Sequence, residues 1–248
     1  MNSRQYFIAA VALVAIDQAA ISLPDGMAFG AEDIPPPPYL VSRANHVLVG
    51  VVFDESVVKS MLPTGIQPAP GGTGGINMYQ VEEASGLPLY SAFYLWADVE
   101  GYDAPDGTKG RWMLAGGYAP AHVQAALAKY YGYPTRDGAT RIDWLGEKVR
   151  AVGTMAGRET VLVELARKKE ACQRVTGTVN EVTANANTSR SQVIKFPFAG
   201  EWCSADPVRV EVNGPSGDAF GRLKPVKIVW TGELRAAAYA WVPPIAGH

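Results

Sequence analysis

Few side chains in this sequence are placed for chemistry by their spacing alone. The three histidines, His46, His122 and His248, stand far apart, and Cys172 and Cys203 form no C-x-x-C pair. No H-E-x-x-H run occurs, so a protein-ligated zinc site is not expected, and no cofactor is. Glu82 and Glu83 close an apolar run, and either could serve as a general base. Neighbouring strand residues point to opposite faces, so at most one of the two looks inward; the other reading is a pair of exposed charges. His122 falls in the first turn of a helix and reads as a surface residue. Gly71-Gly72-Thr73-Gly74-Gly75 resembles a phosphate cradle in composition only. No Lys-Ser/Thr follows it and it leads into a strand, so it reads as a flexible hairpin loop. The clearest pattern is aromatic. Between Leu89 and Val99, period-two alternation puts Tyr90, Ala92, Tyr94, Trp96 and Asp98 on one face and Leu89, Ser91, Phe93, Leu95 and Ala97 on the other. Such a stripe is more often core than site; the other reading is the wall of a site for a flat ligand.

A mostly β chain must position these residues. Short β-branched and aromatic runs cover His46 to Phe53, Gly75 to Glu82, Leu89 to Val99, Lys148 to Thr154, Thr160 to Leu165, Val175 to Val182, Val208 to Val212, Val226 to Trp230 and Leu234 to Trp241. Strands at that spacing predict a closed or sandwiched antiparallel sheet. Two helices interrupt it. Asp54 is a good N-cap for a helix over Glu55 to Leu62, which Pro63 ends. Pro120 starts a second helix through Tyr131, with Val123, Ala126, Leu127 and Tyr130 inward and Gly132 as its C′ residue. Ahead of this body, residues 31–38 read as a Pro-rich spacer, with Pro35 to Pro38 as extended polyproline.

Three blocks, in order, resemble the acetoacetate decarboxylase family. The first is Val47 to Asp54 followed by Val57-Val58-Lys59-Ser60-Met61-Leu62-Pro63, a strand, short helix and proline elbow. Next come the long strand Leu89 to Val99, a helix ending Tyr131-Gly132-Tyr133-Pro134, and Val149-Arg150-Ala151-Val152-Gly153-Thr154. The third is Leu223-Lys224-Pro225-Val226-Lys227-Ile228-Val229-Trp230. Together they span about residues 40 to 242. The resemblance implies a β-rich α+β domain over residues 39–248, with a cone-like or barrel-like sheet around a pocket.

The departures from that family bear most on function. Its two catalytic lysines, one forming a Schiff base and the other lowering its pKa, would follow Pro134, where this chain has Thr135 and Arg136. Neither can form an iminium. Lys129, the nearest preceding lysine, would reach the site only if its helix rolled. A family glutamate on the long strand falls near Ala92, which leaves that wall more aromatic and roomier. The resemblance therefore implies a divergent protein acting on a small carboxylated or carbonyl compound, with room for an aromatic ring, as a lyase or isomerase without a Schiff base. In that reading Arg43 holds a carboxylate, Arg136 stabilises an enolate-like charge, Tyr94 transfers a proton and Glu82 acts as base. Tyr90, Trp96 and Tyr131 line the site. For Arg136 the alternative is a surface ion pair with Asp137 or Asp143; for the whole protein it is a non-catalytic binder of small molecules.

Composition narrows the partners. The 248 residues are 48% hydrophobic and 19% charged, and 22 Lys+Arg against 24 Asp+Glu leave a formal charge of -2. That balance lacks the basic footprint a nucleic acid requires. A small-molecule ligand remains, and assembly into a homo-oligomer is left open. Near the N-terminus, Arg4, the apolar run from Tyr6 through Ile16 and the small residues Ala28 and Gly30 fit an export signal over residues 1–30 cut before Ala31. The run is too short to span a membrane. A helix belonging to the fold is the other reading. Export would make the location periplasmic or secreted, with a Cys172 to Cys203 disulfide; without it the location is cytoplasmic. Asn187-Thr188-Ser189 matches a glycosylation sequon and signals an exposed loop.

Overall fold

The computed structural model of the protein describes residues 34–169, 172–184 and 191–247; the expected leader, the sequon at Asn187 and His248 lie outside the described residues. Strands β1 (Tyr39–Val52), β2 (Thr73–Ser85), β3 (Ser91–Val99) and β4 (Gly110–Ala119) form an antiparallel meander, with α1 (Glu55–Met61) between the first two. Asp54 caps α1 as its sequence predicts, accepting from the Ser56 and Val57 amides. After β4 come α2 (Ala121–Tyr131), β5 (Thr135–Asp137), β6 (Ala139–Leu145), β7 (Lys148–Met155), β8 (Arg158–Arg167) and β9 (Gln173–Ala184). The chain ends with β10 (Ser191–Val212), α3 (Ala219–Arg222), β11 (Lys227–Trp241) and β12 (Ile245–Ala246). Gly132 stops α2 in the left-handed conformation, φ 69°, which a residue with a Cβ adopts at a cost.

Strand order explains where a cavity can form. The sheet runs β11-β1-β2-β3-β4-β9-β10, and β10 pairs back onto β11, so these strands close a circuit. β10 then changes partners. Its residues Phe198 to Ser204 pair with β11, whereas Ala205 to Val212 pair with β8, which leads on to β7 and β6. Alternation along each strand therefore feeds two cores. On β1, Val47, Val49 and Val51 face outward against Val149, Ala151, Val161 and Val163 of β7 and β8, while Ala44 and Leu48 face into the circuit. β3 behaves as its period predicts: Tyr90 just before it, then Ala92, Tyr94 and Trp96, point inward, and Phe93, Leu95 and Ala97 outward.

The structure departs from the expected antiparallel sheet at β4, which pairs in parallel with β5 and with β9; the other pairings among the described residues are antiparallel. Parallel neighbours need a crossover, and α2 supplies it between β4 and β5. β4 itself carries no sequence signal, because Gly116 and Gly117 depress its strand character. Those glycines are covered by Tyr94 and Phe93, whose atoms would stand 2.9 and 2.7 Å from an added Cβ. The segments Val226 to Trp230 and Leu234 to Trp241 are one strand; Gly232 between them lies under the Trp202 ring. At the other end, Ile34 is buried and Tyr39 donates to the Pro35 carbonyl, so the start of the tetraproline segment is tied to the body; the Pro37-Pro38 bond is cis. Among the described residues no helix is long and apolar enough to cross a membrane.

Candidate functional site

Each strand of the closed circuit contributes a side chain to one cavity of about 300 Å³. Val175 and Val179 of β9, Phe196, Phe198 and Trp202 of β10, and Leu234 and Trp241 of β11 make its apolar wall. The polar side is built from β1 to β4 and β9: His46, Asn77, Tyr79, Tyr94, Arg111, Tyr118 and Glu181. Register brings these groups together. His46 lies opposite Tyr79, Asn77 opposite Tyr94, and Arg111 opposite Glu181 in the short parallel pairing.

Hydrogen bonds link four of them into a chain with a defined direction. Asn77 Nδ2 donates to the Tyr94 hydroxyl at 3.0 Å, which in turn donates to Glu181 Oε1 at 3.0 Å. Asn77 Oδ1 is thereby left as acceptor for His46 Nδ1, 3.0 Å away. His46 must then carry its proton on Nδ1, and Nε2 keeps a lone pair. The His46 ring stacks on Tyr79, centroids 4.7 Å apart, which fixes its plane. The other Glu181 oxygen accepts from Tyr133. Two buried atoms of this wall have no partner among the described residues: His46 Nε2 and Arg111 Nε. The Arg111 guanidinium stacks 4.4 Å over the Trp96 ring.

Burial sets the protonation states. Desolvation lowers the His46 pKa to about 4, only partly countered by the Asn77 bond, so the ring is neutral at pH 7. Desolvation also raises the Glu181 carboxyl above the usual carboxylate range, against the opposing phenol bonds and the Arg111 charge. The hydroxyls of Tyr79, Tyr94, Tyr118, Tyr133 and Tyr239 are pushed well above their ordinary range, chiefly by burial. They remain protonated donors.

The structure unites only part of the set anticipated from sequence. Tyr94 lines the cavity, with its hydroxyl engaged at both ends by Asn77 and Glu181. Trp96 lies beneath Arg111 and so acts on the cavity through it. Tyr90 and Tyr131 are buried around Trp241: the Trp241 indole donates to the Tyr90 hydroxyl, and Tyr131 donates to the Trp241 carbonyl. Four residues stand apart. Arg43 pairs with Glu82 at 2.9 Å, both half-exposed, so the expected carboxylate holder and the expected base neutralise each other at the surface. Arg136 makes a two-pronged pair with Asp218, 2.7 and 3.0 Å, on a half-exposed side chain outside the cavity lining. Asp218 also caps α3, so Arg136 serves a structural junction. Lys129 is exposed on α2, over the Tyr130 ring.

His46, Asn77, Arg111 and Glu181 were not singled out from sequence. Parity could have found two of them: His46 is in phase with Ala44 and Leu48, and Glu181 with Val175 and Val179 on the inward face. Arg111 had no such signal, since β4 was not legible as a strand.

No protein-family model and no curated protein matches the sequence. Solved structures do match the fold. An acetoacetate decarboxylase from Legionella pneumophila superposes with a TM-score of 0.71 at 11% identity, over 92% of this chain and 93% of that one. The enduracididine biosynthesis enzyme MppR complexed with pyruvate gives 0.67 at 14% identity, over 86% and 91% of the two chains. An acetoacetate decarboxylase-like enzyme from Sphingomonas wittichii RW1 gives 0.56 at 12% identity, over 87% and 95%. At such identities the likeness carries architecture alone, and it agrees with the closed circuit of strands and the β-rich α+β content: this chain has the acetoacetate decarboxylase-like fold.

Proposed function

We propose that the chain is a divergent enzyme of this fold that takes a small carboxylated or carbonyl compound into the cavity and moves a proton there without a Schiff base, as a lyase or isomerase. The observation that carries this reading is the charge on the cavity wall: Arg111 and Glu181 are present, and among the described residues no lysine lines it. A guanidinium stays protonated and presents a planar fork, which suits a carboxylate or an enolate-like oxygen but cannot form an imine. Glu181, whose carboxyl burial pushes above the usual carboxylate range, is the carboxyl group of the cavity wall suited to exchanging a proton, and Tyr94 ties it to Asn77 and His46. The apolar wall of Phe196, Phe198, Trp202 and Trp241 suits a flat or ring-bearing body. Pyruvate in the MppR complex gives the ligand class a precedent within the fold.

A second reading, a non-catalytic binding protein, draws support from the phenols. Both Glu181 oxygens are already bonded to Tyr94 and Tyr133, an arrangement that serves rigidity as well as proton transfer. One experiment separates the two. Keto acids and arylpropanoids are incubated with the protein in D₂O, and exchange of the α-proton is followed by NMR alongside binding. Binding with catalysed exchange, both reduced at least tenfold in Arg111→Gln and exchange lost in Glu181→Gln, is the expected outcome. Binding without exchange supports the second reading. A borohydride-reduced adduct on any lysine would overturn the imine-free chemistry.

The same proposal includes export. The disulfide Cys172–Cys203 is formed, which is compatible with an oxidising location. Intact-mass measurement on protein from its native host should show loss of about thirty residues, the length of an ordinary leader; a full-length product would contradict it.

A further inference from the structure

His46 is the group the fold holds in place with no internal use for its second nitrogen. The residue is only 7% exposed, lines the cavity, and is fixed by the Asn77 bond and the Tyr79 stack, yet Nε2 has no partner among the described residues. Arg111 Nε, on the same cavity, is likewise unpartnered. The two orphans are complementary: His46 Nε2 can only accept and Arg111 Nε can only donate. A plain carboxylate or ketone satisfies Arg111 but offers nothing to a lone pair. We infer that the ligand carries a hydroxyl or enolic O–H as well as its carboxylate or carbonyl, and that His46 Nε2 is the acceptor that selects it. This deepens the reading of the cavity as a site for carboxylated or carbonyl compounds and rests on it.

The direction of the network strengthens the assignment. Because Asn77 Nδ2 is committed to Tyr94, Asn77 Oδ1 holds His46 in the tautomer that presents a lone pair. A merely packed histidine would need no such anchoring. A buried acceptor left unpaired is penalised strongly, so a ligand that lacks the O–H should bind about tenfold more weakly than one that has it.

The probes are 3-phenylpropionate and its 2-hydroxy and 3-hydroxy derivatives, titrated against the full chain by calorimetry. At least one hydroxy acid should bind tenfold or more tighter than 3-phenylpropionate, and His46→Phe, which keeps a ring of similar size, should abolish that preference, so that the hydroxy acids and their parent bind the variant within about twofold of one another. As a readout on the unaltered protein, ¹⁵N NMR should show His46 as the Nδ1–H tautomer and a shift of Nε2 on adding the hydroxy acid but not its parent. Equal affinities for the three acids, a preference that survives His46→Phe, or an Nε2 signal indifferent to the hydroxyl would each overturn the inference and leave the cavity reading standing. Failure of all three acids to bind would overturn both.

Discussion

At the scale of single residues, the cavity holds two groups whose titration runs in opposite senses. His46 is depressed to about 4 from an ordinary value near 6.5, so between those values the unfolded chain binds a proton that the native ring refuses. Its stabilising contribution is present above about pH 6.5 and is lost as the pH falls towards 4, amounting to about 3 kcal/mol over the window. Glu181 is raised, so its contribution is present below the ordinary carboxyl range and is lost as the pH rises through its native value. Urea denaturation of the wild type and His46→Phe at pH 7 and pH 4.5 isolates the first effect. The variant should lose less stability on acidification; parallel losses would show that His46 titrates normally. Arg43, Glu82 and Arg136 illustrate the limit of reading residues singly. Each is the right chemical type, but each had an opposite charge available to it across a strand pair or a distant loop.

At the scale of elements, glycines in strands make room for the rings that define the site. Gly75 of β2 is covered by Trp96: an added Cβ would stand 2.1 Å from the indole and 2.6 Å from the Val49 carbonyl. Trp96 in turn carries Arg111. Gly75→Ala should therefore destabilise the protein by about 1–3 kcal/mol through overpacking and also weaken carboxylate binding, because the indole beneath the guanidinium must move. Thermal melting together with ligand titration checks both; unchanged affinity would mean that Trp96 does not position Arg111. The same feature explains why these elements were poorly legible. Gly71 to Gly75 reads as loop and Gly110 to Ala119 as nothing regular, since the covering rings come from other strands, yet Thr73 to Gly75 opens β2 and the second segment is β4. Where side chains alternate cleanly, as from Leu89 to Val99, the predicted faces are those of the structure.

At the scale of the whole molecule, closure depends on contacts between parts distant in sequence. β10 pairs with β9, β11 and β8. Beside it, buried Glu233 of β11 accepts from Arg167 of β8 and from Arg235, joining the circuit to the outer layer. Cys172 and Cys203 link the start of β9 to β10 across a separation of 31 residues, with Cα atoms 4.5 Å apart. In the chain-entropy treatment a loop of that length stabilises by about 3 to 4 kcal/mol. Cys172→Ser with Cys203→Ser should lower the unfolding free energy by that order while leaving ligand affinity nearly unchanged, since neither sulfur lines the cavity. Equal stability of the two forms by urea denaturation would show that the unfolded chain is not restrained by the bond.

Local pattern alone determined the β-rich class, the Asp54 cap of α1, the Gly132 stop of α2 and the inward face of β3, because each depends on neighbours within a few residues. The block order added the family likeness. Tertiary structure decided which charged groups meet: Arg111 and Glu181 are 70 positions apart in the numbering and face each other only because β9, reached after α2 and β5 to β8, returns to pair in parallel with β4. It also decided that Arg136 belongs to Asp218, since an ion pair forms with whichever carboxylate the fold brings within reach, and nothing in the sequence around residue 136 specifies a partner 82 positions away. The two-residue period of a strand tells which side a side chain faces; only register across strands tells what it faces.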